Sequence, residues 1–533
     1  MNGNGRAFWP AGLSEAPAAP TRSLWQLLLA SAQQSPAKTA LVFGDQSLSY
    51  AELVRRAEGI AGWLQQHAGL QRGERVLLWS QNSLEFVIAS YAVLRADAVI
   101  VPINAMWTGD EVALVAQDSG ARMAIVADEF LPRLQPLIDD GLLRETVCIG
   151  AALTRGSTGR VVPWAAVLDA GVWPRPHRAG PQDLAVLPYT SGTTGRPKGC
   201  VHTHATVQAA NRAAAAWRSQ GSGDVFLAVA PLFHALGMQN GMHLPLMLGA
   251  GVVMLPRWNR DAALALIERH RVTTWAAPPA MLQDFFANPD VTPQRVRSLK
   301  LVTGGSSPMP PALAERMRAE FGIAYQEGYG MTETASFLIG NPPQRPKLGS
   351  LGMPGPGVEL RAIDPDTLRE LPAGEVGEIV VAGAQVTPGY WQQPEASAAA
   401  FIHIDGRRFL RTGDLGHVDA EGYWFMTDRL KRMISVSGYK VWPAEVEGKL
   451  LTHPAVREAC VIGTPDARSG EAVKALIVCA PDAPIDEAQL IAWCRNTMAV
   501  YKAPRLIQFV PALPKSNTGK VLWRELQLKE RSS

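Results

Sequence analysis

Short apolar runs alternate with helix-length periodic stretches along most of this chain, a pattern that implies an α/β architecture with largely parallel sheets. Residues 39–69, "TALVFGDQSLSYAELVRRAEGIAGWLQQHAG", read as a strand pair followed by a helix. Residues 74–104, "ERVLLWSQNSLEFVIASYAVLRADAVIVPIN", give strand, helix and strand, and "ARMAIVAD" (121–128) is a further buried strand. The rhythm recurs. "DVFLAVAPLFH" (224–234) is a strand, and "DAALALIERHRVTTWAAPPAML" (261–282) is a helix, a strand and a turn. "LKLVTGG" (299–305) is a strand, and "PALAERMRAEFG" (311–322) is a helix that stops at Gly322. Ahead of these, residues 1–22 read as extended, and "SLWQLLLASAQQSP" (23–36) reads as a helix with Ser23 as N-cap and Pro36 beyond its end.

From about Val358 the texture changes to short strands and turns, as in "VELRAID", "GEVGEIVVAG" and "GYWFMTD". After Asp428 it changes again, to a compact β/α unit. A chain of 533 residues is too long for one ordinary core. The expected division is a large N-terminal domain, residues 1–428, of α/β subdomains plus a β-rich subdomain, followed by a small α+β C-terminal domain, residues 429–533.

Charge and composition narrow the function. With 51 basic and 48 acidic residues the net charge is +3, and no basic stripe argues for a nucleic acid partner. Five scattered cysteines, without a Cys-x-x-Cys pair, fit a reducing compartment. The N-terminus lacks the basic start and apolar core of a signal peptide. The longest apolar run, "LPLMLGAGVVML" (244–255), is too short to span a bilayer. A soluble, cytoplasmic protein is the expectation.

Candidate chemistry starts in "LPYTSGTTGRPKGCVHTH" (187–204). The segment reads as a strand, a turn, a second strand and a helix from Ala205. The turn sets Thr190, Ser191, Thr193 and Thr194 around Gly192 and Gly195, and Lys198 follows. Glycines let backbone N–H groups converge into an anion-binding nest, and Lys198 adds a point charge. The Walker spacing fails, because Gly195 precedes Arg196 and Pro197 rather than Lys-Ser/Thr, and there is no G-x-G-x-x-G here. On these residues alone a solvated loop between strands is the alternative, since turns favour the same residue types.

Four stretches together carry a resemblance. "YTSGTTGRPKG" (189–199), "GYGMTET" (328–334), "RTGDLGHVDAEGYWFMTDRLKRMISVSGYKVWPAEVE" (411–447) and "PKSNTGKVLWREL" (514–526) resemble, in order and separation, the motifs of the adenylate-forming superfamily. That superfamily comprises acyl-CoA synthetases, luciferases and peptide-synthetase adenylation domains. The resemblance implies a two-step reaction. A carboxylate attacks the α-phosphorus of ATP to give an acyl-adenylate and pyrophosphate; a thiol, usually of coenzyme A, then displaces AMP. ATP, Mg²⁺ and coenzyme A are the implied cofactors and a small carboxylic acid the implied substrate; the resemblance also allows a homodimer.

Residue roles follow from the same likeness. Lys520 matches the catalytic lysine that contacts the carboxylate and α-phosphate. Glu333 is similar to the Mg²⁺ ligand, with Thr190 as a second oxygen donor. Asp414 resembles the aspartate that accepts the ribose hydroxyls, and Arg429 the arginine that contacts ribose or phosphate. Adenine is expected against Gly304, Gly305 and Ser306 and near Tyr329, with Glu327, Gly328, Gly330 and Thr332 in the same nucleotide-binding set. Lys431 aligns with a hinge about which the C-terminal domain moves, and Gly438 would let the pantetheine arm pass.

The acid pocket is expected around His234, which matches a residue placed near the substrate carboxylate, with Phe233, Met238, Gln239, Gly241, Met242, His243 and Trp217 as a largely apolar lining. No acidic residue occurs in "FHALGMQNGMHLPLML" (233–248), which disfavours an amino-acid substrate. The C-terminal stretches resemble bacterial fatty-acid CoA ligases, so a medium- or long-chain fatty acid is expected, with an aryl or alicyclic acid as the rival. The chain ends soon after Lys520, so free coenzyme A is the expected acceptor. A luciferase-like adenylating oxygenase and a non-catalytic nucleotide binder are the other classes. Ser435 and Ser437 sit where many relatives differ.

Overall fold

A computed structural model describes residues 8–150, 161–190, 197–305, 309–436, 439–466, 468–481, 483, 485–515 and 521–532. Ser191, Gly192, Thr193, Thr194, Gly195, Ser306, Ser437, Gly438 and Lys520 lie outside the described residues, as does the side chain of Lys431.

The helix starts and stops follow local chemistry. Ser23, Ser49 and Thr108 each close a capping box with Gln26, Glu52 and Glu111 and start the helices Leu24–Gln34, Tyr50–Gln66 and Gly109–Ser119. Gly322 ends the helix Pro311–Phe321 in the left-handed conformation (φ 66°). The apolar run 244–255 breaks at Gly249 (φ 70°) into a helix, Leu244–Leu248, and a strand, Gly251–Met254. None of the helices among the described residues is long and apolar enough to cross a membrane.

Two large sheets form the centre. One has nine strands, in the order Met353–Pro354, Ile339–Gly340, Ala324–Tyr329, Leu301–Gly304, Thr274–Ala276, Val225–Ala228, Gly251–Met254, Thr39–Phe43, Gln46–Ser49. Its middle is parallel, and antiparallel pairs close both ends. The other has seven strands: His202–Thr203, Leu184–Val186, Val99–Pro102, Arg75–Trp79, Met123–Ala127, Glu145–Ile149, Val161–Pro163. It is parallel except at the first pair. The core running between these sheets includes Phe86, Ile88, Ile100 and Ile125, all buried.

Residues 359–429 make an antiparallel five-stranded sheet, and residues 434–509 a second, mixed one with its own core around Val461, Ile477 and Leu490. The α/β class, with a β-rich part and a small α+β part after it, is therefore observed.

Two local expectations need correction. The two strands expected on either side of the Gly/Ser/Thr turn, "LAVLPYT" (184–190) and "KGCVHTH" (198–204), are each broken in two. Leu184–Val186 and His202–Thr203 pair in the seven-stranded sheet, while Tyr189–Thr190 and Lys198–Gly199 form a separate two-stranded ladder. Pro188 has no N–H with which to continue the first ladder. Residues after Thr274–Ala276 form a helix, Pro279–Ala287, rather than a bare turn, with Pro279 at its first position, where its fixed φ is helical.

Candidate functional site

The ladder between Tyr189–Thr190 and Lys198–Gly199 sets Thr190 directly opposite Lys198. The legs of the Gly/Ser/Thr turn are thus closed. The ammonium of Lys198 lies 5.0 Å from the ring centre of Tyr390. The Tyr390 hydroxyl donates to Glu333 Oε1 at 3.1 Å. Glu333 is buried, and its carbonyl accepts from the Thr387 N–H at 2.7 Å. Burial, then the Glu333 charge, pushes the Tyr390 hydroxyl up, so it stays a donor. The fold therefore brings Thr190, Lys198 and Glu333 to one place, with Tyr390 as the link.

Glu333 sits on a single tight turn, Thr332–Thr334, which leads into two consecutive residues with positive φ, Ala335 (49°) and Ser336 (88°). Backbone strain of this kind persists only where the surroundings enforce it. Gly330 is one cause: a Cβ on it would lie 1.1 Å from the Ser336 carbonyl oxygen. His202 is another. Its Nε2 donates to the Thr332 carbonyl (2.6 Å), which leaves Nδ1 facing the Thr206 hydroxyl at 3.1 Å. Burial lowers the His202 pKa to about 4, so the ring is neutral at pH 7 and that tautomer holds.

A second cluster forms where the strand Ala324–Tyr329 meets the five-stranded sheet. Tyr329 donates its hydroxyl to Asp414 Oδ2 at 2.6 Å, and Arg429 Nε stands 3.1 Å from Asp414 Oδ1. Asp414 and Arg429 face each other across paired strands, and Thr412 Oγ1 accepts from the Asp414 N–H. Burial, reinforced by Asp414, holds the Tyr329 hydroxyl well above its usual range. Asp414 is buried, yet a carboxylate has about four lone-pair sites, so two neighbours do not exhaust it.

Beside this cluster, Gly304 pairs with Glu327 in parallel register. A Cβ on Gly304 would fall 2.3 Å from the Ala277 carbonyl oxygen, and one on Gly305 2.6 Å from that of Gly328. Burial raises the Glu327 carboxyl to about 7, opposed by the N–H of Met309.

Around His234 apolar and polar residues alternate. Met238, Met242 and Phe233 belong to the main hydrophobic core. The same segment buries polar groups that find partners. Asn211 donates to Gln239 (3.0 Å), Arg218 to Asn240 (2.8 Å), and His243 Nδ1 stands 3.2 Å from the Tyr91 hydroxyl. The segment is thus mixed in polarity, and the turn Gln239–His243, wound as a π-helix, buries all five of its residues. Burial lowers the pKa of His234, which keeps its ring neutral. Trp217 is fully buried and donates to the Asn341 carbonyl at 3.0 Å.

Lys520 has its described flanks closed on one another, Lys515 pairing with Val521 and the Leu522 N–H donating to the Pro514 carbonyl. The following helix, Trp523–Ser532, starts close enough to the second cluster that the Arg429 charge lowers the pKa of Arg524, after burial. Just before Lys431, Asp428 accepts from the N–H groups of Arg429 and Ala444, both at 2.6 Å.

Sequence reasoning missed Tyr390, His202 and Arg218. A lone tyrosine in "PGYW" and an arginine ending a helix carry no spacing signal.

Comparison with known proteins gives concordant results. The profile of the AMP-binding enzyme family matches residues 28–391, and that of the AMP-binding enzyme C-terminal domain residues 445–520. The chain is 37% identical to a feruloyl-CoA synthase of an Amycolatopsis species, over 93% of this chain and 96% of the relative. It is 32% identical to a long-chain-fatty-acid–CoA ligase of Bacillus subtilis, over 95% and 94%. Among solved structures, ATP-bound MatB from Rhodopseudomonas palustris superposes with a TM-score of 0.86 at 30% identity, covering 95% of this chain and 98% of that one. The anthranilate CoA ligase AuaEII with anthranoyl-AMP gives 0.85 at 29%, covering 98% and 99%. With both profiles matched in order and more than nine-tenths of the chain shared with these relatives, this chain belongs to the AMP-binding, adenylate-forming enzymes and is an AMP-forming acyl-CoA synthetase, an ATP-dependent acid–CoA ligase.

Proposed function

We propose that the two clusters divide the nucleotide between them, and that the acid is a compact aryl acid. The observation that carries the first reading is the link Lys198–Tyr390–Glu333, which joins the phosphate turn to a buried carboxylate. Thr190, Lys198 and the turn residues Ser191, Gly192, Thr193, Thr194 and Gly195 take the triphosphate. Asp414 and Arg429 take the ribose, with Tyr329 locking Asp414. Gly304, Gly305, Ser306 and Glu327 to Gly330 frame the adenine. Mg²⁺ keeps most of its waters and binds through one or two carboxylates plus phosphate oxygens. Glu333, one buried carboxylate beside the turn with Thr190 nearby, fits that requirement, and the ion supplies charge neutralisation at the phosphates.

Carboxylate and triphosphate repel each other, so the first step needs cations fixed before the reaction. Lys198 supplies one, and Lys520 is assigned the second, at the attacking carboxylate and α-phosphate. The neutral His234 borders the acid without adding charge. The C-terminal domain, 429–533, then turns about Lys431 and brings Gly438 to the pantetheine thiol, which displaces AMP.

For the acid, polar Gln239, Asn240 and His243 line a segment that an alkyl chain would need apolar, and the feruloyl-CoA synthase likeness points the same way. Pyrophosphate release across cinnamic, benzoic and straight-chain acids of graded length tests this. Cinnamic-type acids are expected to give the highest kcat/KM; a maximum at a long-chain fatty acid would restore the fatty-acid reading. AMP release that requires oxygen instead of coenzyme A would mark the luciferase-like chemistry.

A further inference from the structure

Arg218 follows the fully buried Trp217 at the end of the helix His204–Trp217. Its guanidinium is deeply embedded, while the residue as a whole is half-buried rather than sealed. Three neighbours define where it points. Nη1 donates to Asn240 Oδ1 at 2.8 Å. The ring centre of Phe337 lies 5.2 Å from the guanidinium carbon. Nη2 is 3.9 Å from the position a Cβ on Gly328 would take. These three come from the π-turn after His234, from the segment after Glu333, and from the strand that ends at Tyr329. All three segments belong to the acid-binding region proposed above, and a Cβ on Gly328 would stand 3.3 Å from the Ile339 carbonyl oxygen, so only glycine fits beside the guanidinium.

Three other shielded arginines among the described residues have carboxylate partners: Arg361 with Glu359, Arg411 with Glu378, and Arg432 with Glu447. Arg218 has none among the described residues. The only acidic residue outside them, Asp482, belongs to the 429–533 part. A guanidinium has five N–H donors, and a side-chain amide and an aromatic face satisfy only part of that capacity. Leaving a buried cation without an anion or strong acceptor is costly, and proteins rarely do so. Burial lowers its pKa only to about 10, so it stays charged at neutral pH.

We propose that Arg218, oriented by Asn240, binds an oxygen substituent on the acid at the end remote from its reacting carboxylate. The preferred substrate then carries a hydrogen-bond-accepting oxygen there, either a phenolic hydroxyl or a second carboxylate. The inference rests on the acid–CoA ligase reading above, with an aryl acid in the pocket. A pocket built around a donor rejects the analogue that lacks the acceptor, because the donor is then stranded.

The test compares kcat/KM for cinnamate, 4-hydroxycinnamate and 4-carboxycinnamate in the full-length enzyme. Wild type is expected to prefer an oxygenated acid at least tenfold over cinnamate, and the better of the two identifies the neutral or the anionic group. Arg218→Leu should cut kcat/KM for the preferred acid at least tenfold more than for cinnamate, and Arg218→Lys should recover part of that loss. Asn240→Ala, which leaves the arginine in place, should reduce the preference without removing it. Equal use of all three acids by wild type would overturn the inference and leave the aryl-acid reading standing. Failure to use any of the three while long-chain acids react would overturn the aryl-acid reading itself.

Discussion

The proposed nucleotide side and the proposed acid side of this site treat buried charge in opposite ways. Asp414 is met by Tyr329 and Arg429, and Glu333 by Tyr390, all from the protein. Arg218 is met by an amide and an aromatic face. The first arrangement is internally paired before any ligand arrives, which suits a partner that never changes. The second holds back donor capacity, so the protein is fully satisfied only when the correct acid supplies the missing oxygen. The comparison teaches that a site for an invariant reactant is organised by internal pairing, and a site for a selective one by an incomplete pair.

The comparison can be broken most severely at Gly330. Gly330→Ala places a Cβ 1.1 Å from the Ser336 oxygen and must displace the turn that carries Glu333. Acyl-adenylate formation is expected to be abolished, since a shift of about 1 Å alone can cost about a hundredfold. Pyrophosphate exchange measures this, and near-normal exchange would show that the turn is not rigid.

Glu327 sharpens it next. Its native carboxyl titrates at about 7 rather than 4.5, so it is protonated over most of the acidic range. Its contribution is intact below the ordinary carboxyl pKa and is lost as pH rises through about 7. The shift corresponds to up to about 3 kcal/mol. Glu327→Gln should therefore gain stability relative to wild type between pH 5 and pH 8, read from denaturation midpoints, whereas a constant difference across that range would contradict the shift. Tyr390→Phe is the mildest test. Losing one hydrogen bond to a buried carboxylate, about 1 kcal/mol, should raise the KM for Mg-ATP about fivefold with little change in the KM for the acid.

Local chemistry made much of the fold legible. Ser23 marks a helix start and Gly322 a helix stop because caps act within a few residues. Alternation of apolar runs with helices placed the parallel strands. The contacts that shape the site are of another kind. Tyr390 reaches Glu333 across 57 residues, and His202 reaches Thr332 across 130. Such pairs exist only after the sheets are assembled, and nothing near Tyr390 in the chain announces them. Arg218 was illegible for a different reason. A cation at a helix C-terminus is ordinarily read as complementing the helix dipole from the surface, and only packing shows that Trp217 draws it inside. The polar pairs near His234 were hidden likewise, because a π-turn buries Gln239, Asn240 and His243 together.

The central claim is that a cage of fixed cations, completed by Lys520, drives the joining of acid and AMP while leaving the transfer to coenzyme A to other groups. The direct measurement is the two half-reactions of Lys520→Ala, with pyrophosphate exchange for the first and thioester formation from supplied acyl-adenylate for the second. Exchange is expected to fall by about a hundredfold to a thousandfold, with thioester formation within a few-fold of wild type. Equal losses in both would contradict the account.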